Sequence, residues 1–323
     1  MRTNIYTDLA MEAASDFGEI DGVSMTSEEH AEIGLVTTTV EISNEHGAAS
    51  LRKPIGTYIT LESQVLMEND PDAHEFIIGE MARKIGRLHK LGKDDTVLIV
   101  GLGNWNVTPD ALGPKTVARV LVTRHLTETD AVPWGIDDAV RPVCAVTPGV
   151  MGITGIETGE IVRGIVDRVR PGLVVAIDAL AARSISRINC TVQMSNAGVN
   201  PGAGLGNKRM ELNEKTLGVP VLAIGVPTVV DAATLINDSL DYILDDMIAQ
   251  SDEGSEFYKT LQSLQSQEKH ALIHHTLEPY AGNMFVTPKE VDAVIGRLAN
   301  ILANALNIAL HPGITPDDIN RYL

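Results

Sequence analysis

"TVLIVGLGNWNVTPDALGPKTV", residues 96 to 117, decides how the chain is read. Its opening, "TVLIVG" (96 to 101), is a short apolar run suited to a strand buried on both faces. Gly101 and Gly103 then begin like a phosphate-binding turn. The third position of a G-x-G-x-x-G fingerprint is Asn106, however, and Pro109 withholds a further N–H from a phosphate. What leaves the turn is the carboxylate of Asp110. In open parallel sheets, ligands collect outside the carboxyl ends of strands, which puts Asp110 where chemistry is done. Thr108-Pro109-Asp110 also reads as an ordinary helix start, with Asp110 near a capping position.

Downstream, the pattern predicts a helix over 114 to 126, a strand "PVCAV" (142 to 146), a helix over 157 to 170, and strands "LVVAID" (173 to 178) and "VPVLAIGV" (219 to 226). Upstream, Ile77, Met81, Ile85 and Leu88 recur at helical spacing after Pro71-Asp72. "VTTTVEIS" (36 to 43) and "IGTYITLES" (55 to 63) alternate as an antiparallel pair across a loop "NEHGAAS", a hairpin set apart from the main body. The expected fold is therefore α/β: a mainly parallel sheet with helices on both faces, plus the antiparallel hairpin and a helical C-terminal part, 231 to 323, packed on the core. Without a long linker, low-complexity tract or internal repeat, residues 1 to 323 read as one domain.

The 323 residues carry 43 Asp plus Glu against 25 Lys plus Arg, a net charge of −18 that opposes nonspecific attraction to nucleic acid or anionic membrane. Two distant cysteines, Cys144 and Cys190, offer neither a disulfide framework nor a cysteine metal site, and read as buried thiols in a reducing compartment. No signal-peptide h-region opens the chain and no run of 18 apolar residues interrupts it, so the expected location is the cytoplasm.

"LVVAIDALAAR" places Asp178 at the end of a second strand, so Asp110 and Asp178 can share one sheet edge, subject to strand order. Two carboxyls held close cannot both ionise cheaply, and one keeps a proton near neutral pH. Such a pair can activate water and protonate a leaving group, which suffices for peptide hydrolysis. Capping a helix is the competing role for Asp178 as for Asp110. Other chemistries have less support. In "NPGAGLGNKRMELNEK" (200 to 215), Lys208 is followed by Arg209 where a P-loop needs Ser or Thr. Nine histidines, including His274-His275, form no H-E-x-x-H, and Ser184 and Ser186 lack a G-x-S-x-G elbow.

Together, "GLGNWNVTPDALGPKTV", "AIDALAARSISRINCTVQMSNAGVNPGAGLGNKR" and "LGVPVLAIGVPTVVDAATL" resemble the germination protease (spore protease) family of endospore-forming bacteria, with similarity through most of the chain. The resemblance implies an endopeptidase that degrades small acid-soluble spore proteins at germination. It implies a zymogen that processes itself, a homotetramer, and action in the cytoplasm of the forespore and spore core. No cofactor, direct nucleic-acid contact or membrane is implied. The family's proposed aspartates match Asp110 and Asp178. The same two segments are similar to hydrogenase-maturation endopeptidases, whose acidic groups contact a metal, so a metal-dependent peptidase using these aspartates is the alternative mechanism. No third ligand accompanies them and no metal is assigned. A noncatalytic binder of spore proteins is the further alternative. "TDLAME" (7 to 12) resembles the family's recognition pattern of an acidic residue, a large apolar residue, Ala and a later Glu. Cleavage is expected between Asp8 and Leu9, with 1 to 8 as pro-segment; a helix cap at Thr7 or Asp8 is the plain alternative.

Overall fold

The computed structural model describes residues 7–15, 20–92, 94–127, 140–200, 210–250 and 284–320. In chain order they form α1 (Ala10–Ser15), β1 (Val23–His30), β2 (Leu35–Ile42), α2 (Glu45–Leu51), β3 (Gly56–Glu62), α3 (Pro71–Leu88), β4 (Val97–Gly101), α4 (Leu112–Val117) and α5 (Arg124–Thr127). There follow β5 (Val143–Val146), α6 (Met151–Thr154), α7 (Thr158–Val169), β6 (Leu173–Ala182), β7 (Thr191–Ser195), α8 (Glu214–Leu217), β8 (Val221–Asp231), α9 (Ala232–Gln250), β9 (Phe285–Val286) and α10 (Val291–Leu310).

One mixed sheet organises them in the order β1-β2-β3-β7-β8-β6-β4-β5, with β9 added to β8. The pairs β5/β4, β4/β6 and β6/β8 are parallel, and the other pairs are antiparallel. The parallel strands are apolar on both faces because both are covered. Val97, Ile99, Val175 and Ile177 pack with α3 and α10, whereas Leu98, Val100, Val174 and Ala176 pack with Val162 and Val166 of α7. Helix α10 is twenty residues long and apolar, but 67% of its apolar stretch is buried, as in a core helix.

Several local expectations are corrected. The hairpin does not stand apart: β3 pairs with β7, so β2 and β3 extend the main sheet. "NEHGAAS" is mostly helical, because the Asn44 side chain accepts the Gly47 N–H and caps α2. The helix read over 114 to 126 stops at Val117. Beyond it, Leu121 N–H donates to Asn307 of α10 and Thr123 N–H to Val143, so tertiary bonds replace the helical ones. Strand β6 runs to Ala182, four residues past the expected end at Asp178. Cys190 is buried and Cys144 half-buried, both as free thiols. Residues 201 to 209 and His274-His275 lie outside the described residues.

His311, which ends α10, is 1% exposed and linked on both ring nitrogens. Nδ1 accepts the Arg141 N–H at 3.2 Å, which leaves Nε2–H to donate to the Leu121 carbonyl at 3.2 Å. Burial, helped by the Arg141 charge and opposed by the Leu121 bond, pushes its pKa from 6.5 down to about 4. The unfolded chain therefore binds the proton first, and the stability is fully present above pH 6.5 and lost as pH falls through 4. Urea unfolding at pH 6.5 and 4.5 should show about 2–3 kcal/mol more acid loss in the wild type than in His311→Gln. Equal losses in the two proteins would contradict this.

Candidate active site

The glycines of the deciding stretch serve close backbone packing. A Cβ on Gly101 would lie 2.5 Å from the Gly113 carbonyl oxygen, and a Cβ on Gly113 would lie 2.3 Å from that of Leu102 and 2.6 Å from that of Ile177. The start of α4 thus rests directly on the ends of β4 and β6. Gly103 adopts φ +109°, and a Cβ there would fall 2.0 Å from the Asp110 carbonyl oxygen. The turn closes on Asp110 itself: Asn104 N–H donates to the Asp110 carboxylate Oδ2 at 2.8 Å and to its carbonyl at 3.1 Å. The backbone N–H that a nucleotide-binding turn would offer to phosphate is directed to the Asp110 side chain. Asp110 ends a 3-10 turn, Thr108–Asp110, and α4 begins two residues later without a side-chain cap, so Asp110 is no helix cap.

Asp178 cannot be one either, since it lies within β6. It is the first β6 residue beyond the end of β4, whose Gly101 pairs with Ile177. Asp178 is 7% exposed, and its Oδ1 accepts the Ala179 N–H at 3.0 Å. Both aspartates lie at a switch point of the sheet. From β4 the chain moves to β5 on one side, then returns across β4 to β6 on the other, and such crevices collect ligands. Both aspartates line one cleft of about 700 Å³, with Asp8, Lys53, Tyr58 and Gln193. Asp178 pairs with Gly225 of β8, which in turn pairs with Gln193 of β7, so a residue without a side chain separates them.

The amino-terminal segment is docked at this cleft. The register of β6 against β8 shifts between Leu180 and Ala181, a bulge that re-aims the strand. Ala181 N–H donates to Asp8 Oδ2 at 2.9 Å, and Ala181 accepts the Asp8 N–H at 3.2 Å. The Asp8 carbonyl receives two donors, Lys53 Nζ at 3.1 Å and Gln193 Nε2 at 3.1 Å. Ala10 N–H donates back to Gln193 Oε1 at 2.7 Å. Leu9 and Ala10 are fully buried. Desolvation pushes the Lys53 ammonium below its ordinary range, while Asp8 and Glu12 pull it back up. Just before α1, the Thr7 hydroxyl oxygen accepts the Leu9 N–H at 3.1 Å.

Glu12, 2% exposed, is held by the Arg183 N–H at 3.0 Å, the Ser184 N–H at 3.2 Å, Arg187 Nε at 3.3 Å and the Thr7 hydroxyl. Sequence reasoning passed over Lys53, Gln193 and Arg187. A period-two signal was present in "TVQMS", where Val192 and Met194 alternate with polar residues, and reading it as β7 would have brought Gln193 forward. Lys53 and Arg187 come from short connections with no such pattern. Among the described residues, no group of three or more His, Cys, Asp or Glu side chains is placed to hold a metal.

A family model described as germination protease matches residues 3–263 and 245–323 of this chain. The germination protease of Clostridium perfringens (strain 13) is 49% identical over 325 residues, covering 99% of each chain. That of Clostridium tetani is 47% identical with the same coverage, and that of Bacillus subtilis (strain 168) is 42% identical over 98% of this chain and 96% of its own.

Proposed function

The chain belongs to the germination protease family and is a protease, and from that premise we propose that it is an endopeptidase using Asp110 and Asp178 as an acid/base pair. The observation that carries this reading is the common cleft, which Asp8, Asp110 and Asp178 all line. In the proposed reaction, the ionised member takes a proton from water as its oxygen bonds to the carbonyl carbon. Lys53 and Gln193, already donating to the Asp8 carbonyl oxygen, draw off the charge that develops there. The protonated member then gives its proton to the leaving nitrogen of Leu9 as the C–N bond breaks. The two carboxyls titrate as a pair, so the shared proton is assigned to the dyad.

The same reading makes Asp8–Leu9 the self-processing bond of a zymogen and small acid-soluble spore proteins the substrates. It assigns a homotetramer working in the forespore and spore-core cytoplasm. The burial of Leu9, Ala10 and Glu12 supports it, because a segment fastened with Asp8 at the cleft obstructs access for other chains. Removing residues 1 to 8, incubating the protein with a spore-protein peptide bearing an acidic-apolar-Ala site, with and without a chelator, and reading fragments by mass spectrometry tests it. Cleavage after the acidic residue that survives chelation is expected. Chelator-sensitive cleavage would turn the aspartates into metal ligands, and stable binding without fragments would leave a binder. A monomer in dilute sedimentation would contradict the tetramer.

A further inference from the structure

We propose that apolar side chains in the loops after β4 and β5 form a docking subsite for apolar residues on the amino side of the bond that is cut. The inference rests on the reading of the cleft as a peptidase site and of Asp8–Leu9 as a bond it cuts. Val107 of the first loop and Val150 of the second line the cleft. Beside them in sequence stand Trp105, Met151, Ile153 and Ile156, and these four and Val107 are each between 47% and 62% exposed. Residues 101–107 and 146–156 contain no charged side chain, in a chain with a net charge of −18. So much large apolar surface held in water at the mouth of a cleft marks a place where a partner binds.

Both loops are braced by their own hydrogen bonds. In the first, Asn104 accepts the Asn106 N–H on its side-chain oxygen at 3.0 Å and the Val107 N–H on its carbonyl at 3.1 Å. In the second, the Thr154 hydroxyl accepts the Ile156 N–H at 3.2 Å, and the Thr158 hydroxyl of α7 donates to the Gly149 carbonyl at 3.2 Å. The sheet order gives the partner its direction. On the carboxyl side of Leu9, α1 packs on β2 and β3, whereas β4 and β5 lie on the opposite side of β6. A chain that crosses the cleft with its carboxyl side toward β3, as α1 lies, carries its amino side toward β4 and β5. Those strands stand one and two spacings beyond Asp178 of β6, about 5 and 10 Å, and an extended chain advances about 3.3 Å per residue. The loops therefore reach roughly the third and fourth residues before the bond. In this sequence those residues are Tyr6 and Ile5, one aromatic and one aliphatic. The occupant is thus a polypeptide substrate with large apolar side chains at these two places.

The test uses the full chain after self-processing and a peptide copying residues 2–16, "RTNIYTDLAMEAASD", against a version carrying Ile5→Ser and Tyr6→Ser. The wild type should favour the first peptide by roughly 10-fold or more in kcat/KM, the scale of burying part of two apolar side chains, with the difference in KM rather than in kcat. In Trp105→Ser and in Ile153→Ser, both at exposed positions, that ratio should fall toward one, and Trp105→Phe should restore part of it. The wild-type peptide comparison stands by itself if a variant fails to fold. Equal kcat/KM for the two peptides would overturn the subsite alone, as would an unchanged ratio in both serine variants. Sedimentation of the same variants examines the competing occupant. A smaller assembly with an unchanged peptide ratio would make the patch a contact between copies of this chain and overturn the proposal. Absence of any cleavage at the Asp–Leu bond would overturn the underlying reading and the subsite with it.

Discussion

Asp178→Asn should slow cleavage by roughly 10²–10⁴-fold, the usual contribution of a positioned acid or base, while leaving the fold intact. The change is isosteric at a site that is 7% exposed, and an amide oxygen can still accept the Ala179 N–H. Asp110→Asn should act alike, because an amide oxygen can keep the Asn104 N–H bond that closes the glycine turn. Each variant should melt within about 2 °C of the wild type, since the isosteric change leaves no cavity and the Ala179 and Asn104 N–H groups keep an oxygen acceptor. If the two carboxyls work as one unit, the double variant should be little worse than either single one. Full activity in either single variant would remove the dyad. A double variant whose loss equals the product of the two single losses would assign the aspartates separate duties.

Gly113→Ala is expected to have a large structural effect, because it sits where α4 meets the sheet. Its new carbon would lie 2.3 Å from the Leu102 carbonyl oxygen and 2.6 Å from that of Ile177, and both are backbone atoms that cannot rotate away. Helix α4 would have to lift off the sheet, at a cost of about 3 kcal/mol, the upper part of the usual overpacking range. Asp110 lies two residues before this helix, so the lift should also spoil its placement relative to Asp178. A misplacement of about 1 Å can cost roughly 10²-fold in rate. Gly296→Ala in α10 is the matched control, because nothing lies within 4 Å of its new carbon. There the gain in helix propensity should stabilise by about 0.5–1 kcal/mol. Thermal unfolding and cleavage of the two variants together make the check, and an unchanged melting point for Gly113→Ala would refute the packing argument.

The alternation of apolar strands and amphipathic helices made the parallel half of the sheet legible, with β4, β5, β6 and β8 near their expected places. Strand β1 was not, because its side chains are mostly exposed and "VSMTSEEH" has no apolar face to give it away. Asp110 and Asp178 stood out because strand ends are where α/β sheets bind ligands. Whether they met was hidden, since that depends on β6 crossing to the far side of β4, a tertiary choice with no local signature. The continuation of β6 beyond Asp178 was hidden for the same reason. "ALAA" is equally at home in a helix, and only pairing with β8 makes it a strand. The cradle of Glu12 draws on residues 171 to 175 positions away in sequence, a separation no motif spans.

Helix α1 carries a kinetic consequence. Ala10 and Ala14 pack with Val40, Ile42, Leu51 and Tyr58, so the segment is fastened to the body on the carboxyl side of Leu9. If the backbone is cut after Asp8, the fresh end stays tethered beside the cleft instead of diffusing off. A tether this short presents its end at an effective concentration on the order of millimolar. A free protein present at micromolar levels and bound equally well would then lose that contest by about a thousandfold. On the proposed processing, the peptide bond at position 8 and the hold of α1 would be two separate locks, with full turnover waiting for the second to loosen.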